Sequence, residues 1–225
     1  MKVLFLLFFL FPLSVLASDC GIKDFSLCQS AENGDSLAQM KIADMYSEGD
    51  GVKQDKHIAF EWYQKAANQG NVEAQSILGS LYLYGTGVNS SKPMALKFYK
   101  MAADQGDIIA IISLGQMYLV GYGVKKDEVM AFNFYQKAAE LGDVSSQAIL
   151  CGFYRKGIGT DQNDDLAFEW CKKAANKGSE SAQYALGNMY LNGVGVKQDI
   201  SESQLWFKES CDNGFDFACS KVDKK

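Results

Sequence analysis

Glycine and tyrosine residues recur every 36 positions along almost the whole chain, and this spacing restricts the possible folds more than any other feature. Three series keep the same phase. They fall at Gly34, Gly70, Gly106, Gly142, Gly178 and Gly214; at Tyr46, Tyr82, Tyr118, Tyr154 and Tyr190; and at glycine pairs that begin at Gly49, Gly85, Gly121, Gly157 and Gly193. A period of this length without insertions is typical of repeat proteins, in which each unit packs against its neighbours.

Each period contains two helical stripes separated by turns. In the second unit, small and apolar residues over 72–84 have the spacing of one helix face, and this segment is called helix A. The same spacing returns after the turn at 85–87, in the segment called helix B. The two stripes consist of Ala74, Leu78, Gly79 and Tyr82, and of Ala95, Phe98, Tyr99, Ala102 and Ala103. A single hairpin cannot bury both stripes, so the pattern predicts an all-α solenoid of stacked hairpins.

The first residues have the composition of a secretory signal peptide. A basic start at Lys2 precedes an apolar run over 3–13, and small or apolar residues occupy the −3 and −1 positions of a cut after Ala17. The run is too short to span a bilayer stably, so we expect an exported chain with no membrane insertion after cleavage, periplasmic or secreted. The pI near 5.0 and the absence of Lys/Arg-rich runs argue against a nucleic-acid partner.

The complete pattern strongly resembles the Sel1-like repeat over about residues 22–219. It reads Ala-x3-Leu-Gly-x2-Tyr-x2-Gly-x-Gly-Val, then Ala-x2-[Trp/Phe]-Tyr-x-Lys-Ala-Ala-x2-Gly. The resemblance implies a right-handed α/α superhelix, related to the tetratricopeptide repeat, that acts as a protein-binding scaffold. The expected divisions are a cleaved signal peptide (1–17), an N-terminal capping helix (18–34), five repeats (35–70, 71–106, 107–142, 143–178 and 179–214) and a C-terminal capping helix with a tail (215–225).

The six cysteines all follow the signal peptide, and an exported chain with an even number of cysteines is expected to form disulfides. Comparison between repeats gives the strongest pair. In the fourth unit alone, Cys151 replaces the residue equivalent to Gly79, and Cys171 replaces the residue equivalent to Tyr99. These positions are expected to face each other within the hairpin, which favours a Cys151–Cys171 disulfide over two buried free thiols.

The other four cysteines lie at the two ends of the solenoid. Cys211 and Cys219 flank the last turn with a spacing that resembles the disulfide-bearing repeats of the Helicobacter cysteine-rich proteins, and the resemblance implies a bridge between them. Cys20 and Cys28 would lie about 12 Å apart on one continuous helix, so they can pair only if a helix starts near Asp24. Six cysteines allow 15 pairings, so this set is an inference.

No arrangement of residues points to catalysis. Neither Ser-x-x-Lys nor Lys-Thr-Gly occurs, which counts against the β-lactamase or transpeptidase activity sometimes proposed for the cysteine-rich relatives. The Gly-x-Gly turns follow helices and lack the continuation of a phosphate-binding loop. His57 is the single histidine and is expected on the surface, which excludes motifs that need two histidines. We therefore expect a protein that is not an enzyme, with no metal and no cofactor.

A partner is expected on helix A, on the face opposite the core stripe, where the helices line the concave groove of the solenoid. This face is apolar in the third unit and basic in the fourth. The predicted partner-binding residues are Leu83, Tyr84, Ile109, Ile112, Gln116, Leu119, Val120, Arg155, Tyr184, Asn188 and Leu191. An exposed apolar patch usually marks an interaction site. The alternative is that superhelical curvature buries part of it against neighbouring A helices.

These features favour a non-catalytic, exported scaffold that is monomeric until it holds a protein partner in the groove. The family resemblance suggests a periplasmic immunity protein or an envelope-assembly adaptor, by analogy alone. The alternatives are a cell-wall or β-lactam hydrolase and a secreted factor that binds host proteins.

Overall fold

The computed structural model of the protein describes residues 20–222, and this part of the chain forms twelve α-helices and no strand. In chain order they are α1 (Phe25–Glu32), α2 (Ser36–Glu48), α3 (Lys56–Asn68), α4 (Val72–Tyr84), α5 (Lys92–Asp104), α6 (Ile108–Val120), α7 (Glu128–Glu140), α8 (Val144–Lys156), α9 (Asp164–Asn176), α10 (Glu180–Asn192), α11 (Ile200–Asp212) and α12 (Asp216–Cys219). The all-α prediction is confirmed, and α4 has the bounds expected for helix A of the second unit. The signal peptide expected over 1–17 lies outside the described residues.

Short polar side chains fix where the helices begin. In α6, the carboxylate of Asp107 accepts a hydrogen bond from the Ala110 amide at 2.6 Å, and Asp127 caps α7 in the same way. Helices α2 to α11 all have 13 residues. Long and short turns join them alternately, as at 49–55 and 69–71. Each repeat therefore consists of helix A, a long turn, helix B and a short turn.

In the second, third and fifth repeats, helices A and B approach closely because a glycine on helix A faces an aromatic ring on helix B. A Cβ atom added at Gly79 would lie 2.6 Å from Cε1 of Tyr99, and Gly187 faces Phe207 in the same way. Each helix packs chiefly against its neighbours in sequence, and the A helices of adjacent repeats, such as α4 and α6, also touch. This sequential packing defines a solenoid whose buried apolar side chains form three clusters along the described residues.

In the fourth repeat, a disulfide takes the place of the glycine and the ring. Cys151 on α8 is bonded to Cys171 on α9, with 5.0 Å between their Cα atoms. Both residues are buried, with exposed fractions of 2% and 0%. The bond therefore fills the space that an aromatic side chain occupies in the other hairpins, and it links the two helices covalently.

Two further disulfides close the ends of the solenoid, and all three pairs are those that the sequence favours. Cys20 is bonded to Cys28, and Cys211 to Cys219, with 5.8 and 4.8 Å between their Cα atoms. The side chain of Asp24 accepts a hydrogen bond from the Leu27 amide at 3.0 Å and so begins α1 after Cys20. The chain before the helix can therefore fold back to bring the two sulfurs together.

A ladder of buried amides, which was not predicted from the sequence, connects successive repeats. Glutamine side chains on four A helices donate hydrogen bonds of 2.9–3.2 Å to an alanine carbonyl on the preceding helix. The donors are Gln39, Gln75, Gln147 and Gln183. In the third repeat Ile111 stands at this position, and Lys137 donates to the Ala103 carbonyl instead, at 3.0 Å. The 36-residue spacing of these glutamines was the available signal.

Gln75→Leu is expected to lower the free energy of unfolding by about 1–3 kcal/mol. Two hydrogen bonds would be lost: the one that the Ala67 carbonyl accepts beside that from the Gly70 amide, and the 2.8 Å bond from the Gln105 amide to Gln75 Oε1. Urea denaturation followed by circular dichroism measures the change. The control is Gln29→Leu on an exposed position of α1, which should change stability by no more than about 0.5 kcal/mol. Equal effects of the two substitutions would contradict the structural role of the ladder.

Candidate protein-binding groove

Two adjoining hollows lie between the A helices α4 and α6 and bring together residues from the second and third repeats. Their volumes are about 340 and 410 Å³, and both are lined by Tyr84, Tyr99 and Ser113. Of the residues predicted to bind a partner, these hollows contain Leu83, Tyr84, Ile109, Ile112, Gln116 and Val120. The structure therefore gathers six predicted residues, distant in sequence, into one continuous surface, called here the α4–α6 hollow.

Three apolar side chains in the α4–α6 hollow are freely exposed. The exposed fraction is 74% for Tyr84, 69% for Ile109 and 57% for Val120. Tyr122, in the turn after α6, adds a further ring that is 41% exposed. The Lys92 ammonium group lies 4.0 Å from the centre of this ring, a cation–π contact that holds the ring at the rim.

Other predicted residues of the third repeat belong partly to the core. Ile112 is half-buried and packs against the apolar clusters on both sides of α6. Leu119 is also half-buried and packs against the cluster that contains Phe132, Leu150 and Phe153 of the third and fourth repeats. An aspartate at either position would disturb packing between repeats, so neither substitution tests binding alone.

The predicted residues of the fifth repeat make contacts within the chain. The Tyr184 ring centre lies 5.6 Å from that of Phe207 and 5.2 Å from that of Phe215, just before α12. The Asn188 side chain donates to the Tyr184 carbonyl at 2.9 Å, and Leu191 is half-buried. The structure does not bring these three residues into the α4–α6 hollow.

In the first three repeats, the hydroxyl groups of tyrosines on helix B lie at the bottom of the groove between the A helices, which is called here the floor. Tyr63 donates to Asp44 Oδ1 at 2.6 Å, and Tyr135 donates to Gln116 Oε1 at 2.9 Å. Burial raises the pKa of Tyr63, Tyr99 and Tyr135 above the ordinary value, and so keeps the hydroxyls protonated. They can therefore act as hydrogen-bond donors at any physiological pH.

The fourth repeat presents a different surface. Cys171 replaces the tyrosine, and Gly152 occupies the position of Asp44 and Gln116; a Cβ atom added at Gly152 would meet nothing within 4 Å. Beyond this open floor, Arg155 and Lys156 are exposed at the end of α8. Neither takes part in any of the ion pairs found over residues 20–222.

His57 and the cysteine pair at the start of the described residues are each held by contacts within the chain. His57 is exposed on α3, with Nδ1 3.1 Å from the Gly87 carbonyl and Nε2 3.6 Å from Glu61. Within the described part of the chain, the one cluster with metal-ligand geometry is Cys20, Cys28 and Glu32, and its two sulfurs are bonded to each other. None of the helices described is both long and apolar enough to cross a membrane.

The stacked hairpins and the open surface on the A helices define the chain as an α/α-solenoid scaffold. A family model described as the Sel1 repeat matches residues 36–71, 72–107, 108–143, 144–179 and 180–215. The protein belongs to the Sel1 repeat family, whose members are generally non-catalytic scaffolds. The matched units begin one residue later than the divisions expected from the sequence.

Solved structures of two similar proteins share the fold, and a third has a weaker likeness. A protective antigen of uropathogenic Escherichia coli is 38% identical with a TM-score of 0.82, over 85% of this chain and 41% of that one. A Sel1 repeat protein from Oxalobacter formigenes is 35% identical with a TM-score of 0.72, over 81% and 73% of the two chains. Helicobacter pylori cysteine rich protein B is 20% identical with a TM-score of 0.46, over 58% and 93%. The chain thus spans less than half the length of the first relative, and no curated protein matches it in sequence.

Proposed function

We propose that the protein is a non-catalytic scaffold that holds a protein partner against its A helices, with the α4–α6 hollow as the centre of the interface. The observation that most supports this proposal is the exposure of Tyr84, Ile109 and Val120, three apolar side chains that line adjoining hollows. Contiguous exposed apolar surface rimmed by polar residues commonly marks a site of protein interaction. Tyrosine at the centre of such a site supplies much of the binding energy.

The compartment of this function is the periplasm or the exterior of the cell. Three disulfides among residues 20–222 support this assignment, because disulfides persist in oxidising compartments. The expected signal peptide over 1–17 is consistent with it. The candidate partners in this compartment are a toxin that an immunity protein neutralises, an envelope component under assembly, and a host protein. The identity of the captured protein distinguishes the three corresponding functions.

Ile109→Asp is expected to weaken partner binding by about 30-fold or more, because it places a charge in the apolar centre of the interface. Since Ile109 is 69% exposed, the variant should keep its helical circular dichroism spectrum. The experiment captures the partner from the native envelope and culture medium with residues 18–225 and then measures its affinity by calorimetry.

The matched control is Val129→Asp, on α7, where the side chain is 57% exposed. This variant carries the same new charge away from the α4–α6 hollow and should bind the partner with unchanged affinity. Retention of the partner by Ile109→Asp, equal loss with both variants, or capture of no protein at all would each contradict the proposal.

A further inference from the structure

We propose that the groove recognises a partner segment with two features, an apolar anchor that occupies the α4–α6 hollow and a carboxylate that pairs with Arg155. The inference rests on the proposed function and specifies the chemistry of its partner. Arg155 stands at the position of Leu83 and Leu119 in the next A helix along the groove. The basic group thus continues the same row of side chains that borders the apolar hollow.

The identity of this side chain points to a carboxylate. Arg155 is the only arginine in a chain with 22 basic residues, so lysine serves at every other basic position. A guanidinium group binds a carboxylate through two parallel hydrogen bonds, which a lysine ammonium group cannot do. Arg155 is exposed, and no ion pair of the described residues occupies it. Its donors are therefore available to a partner.

The floor of the fourth repeat leaves room for such a group beside Arg155. In the first and third repeats, a tyrosine hydroxyl meets a polar side chain at this point of the floor. Here both are absent, because the tyrosine is replaced by Cys171 and the polar residue by Gly152. The space above Gly152 is open to at least 4 Å, so a partner side chain can approach the guanidinium group from the groove.

The charge of the groove also differs between the first and the fourth repeats. Asp44 and Glu48 are exposed on the A helix of the first repeat, whereas Arg155 and Lys156 are exposed on that of the fourth. The protein as a whole carries a net charge of −5, which disfavours an acidic segment everywhere except near a local basic site. The carboxylate of the partner is therefore directed to the fourth repeat, and the bound segment has a fixed direction.

Helix spacing gives the separation of the two features in the partner. Packed helices lie about 8–10 Å apart, and an extended chain advances about 3.3 Å per residue. The centre of the α4–α6 hollow is about one and a half helix spacings from α8, roughly 12–15 Å, so a carboxylate that reaches Arg155 should lie roughly three to five residues from the anchor. A short extended segment is sufficient to make both contacts.

The test uses a phage-displayed library of random 12-residue peptides, selected on the disulfide-intact protein (residues 18–225). The selected peptides are expected to contain an aromatic or large aliphatic residue with Asp or Glu three to five positions away. One of them is then synthesised with its acidic residue intact and with the matching amide. Fluorescence anisotropy should show that Arg155→Gln weakens the acidic peptide about 10-fold or more and leaves the amide peptide unchanged. Lys100→Gln, which removes one exposed charge from α5, should change neither affinity more than about twofold.

The outcomes separate this inference from the function on which it rests. If Ile109→Asp abolishes peptide binding but Arg155→Gln does not weaken the acidic peptide, the pairing with Arg155 is wrong and the groove remains the binding site. If the peptides bind Ile109→Asp as tightly as the native protein, both proposals are wrong. Selection of peptides without acidic residues, or of no peptide above background, overturns the inference about the partner's chemistry.

Discussion

Replacing Cys151 and Cys171 together by alanine is expected to lower the free energy of unfolding by about 2–5 kcal/mol. The bond closes a loop between residues separated by 20 positions, so its removal increases the conformational freedom of the unfolded chain. It also leaves empty the space that an aromatic ring fills in the other hairpins, and both cysteines are buried. Urea denaturation followed by circular dichroism measures the loss.

The repeat itself supplies the matched control, Cys151→Gly combined with Cys171→Tyr. This pair restores the arrangement of Gly79 and Tyr99, in which the ring fills the space left by glycine. Neither double variant has the covalent link, so the difference between them reports packing, reduced by the roughly 1 kcal/mol by which glycine at position 151 disfavours the helix relative to alanine. We expect the glycine–tyrosine pair to recover about 1–3 kcal/mol relative to the alanine pair. If the alanine pair unfolds at the same urea concentration as the native protein, the bond has no structural role.

Gly87→Ala is expected to lower the free energy of unfolding by about 2–5 kcal/mol, for two separate reasons. Its φ of +71° lies in the left-handed region, where a Cβ atom costs about 1–2 kcal/mol. The added Cβ would also overlap the carbonyl oxygen of Lys56 in the preceding repeat, and this backbone atom cannot move without disturbing the start of α3. Overpacking of this kind costs about a further 1–3 kcal/mol.

Gly106→Ala separates the two causes. Gly106 also has a positive φ, +89°, but a Cβ atom there would meet nothing within 4 Å. We expect this substitution to cost only the backbone contribution, about 1–2 kcal/mol, in the same denaturation experiment. Equal losses for the two variants would mean that the contact between Gly87 and the preceding repeat does not contribute to stability.

The predicted effects of Gly87→Ala and Gly106→Ala differ because glycines in the two regular series have different roles. The series that contains Gly87 and the series that contains Gly106 recur with the same period and look equivalent in the sequence. In the structure, glycine at position 106 is favoured only by the positive φ of the local backbone, whereas Gly87 also lies against the preceding repeat. The sequence could identify the turns, because glycine is the residue that left-handed backbone favours. It could not identify the contact between repeats, because that depends on how one hairpin packs against the next.

The candidate site also has some features that the sequence predicts and others that only the tertiary structure shows. The face of helix A that carries Tyr84, Ile109 and Val120 could be identified from the sequence, because apolar residues at surface positions depart from the helical pattern. The half-burial of Leu119 and the aromatic cover over Tyr184 could not, since residues of other repeats or of the C-terminal cap provide those contacts. Only the packed solenoid shows which of the predicted residues remain free.

The sequence by itself determined the repeat, the helices and the facing positions of Cys151 and Cys171, because these follow from chain spacing and from the apolar stripe of each helix. The tertiary structure decided the amide ladder, the hollow between α4 and α6 and the open floor beside Arg155. These features arise where side chains from different hairpins meet. Their positions depend on the distance and rotation between successive repeats, which local periodicity does not encode.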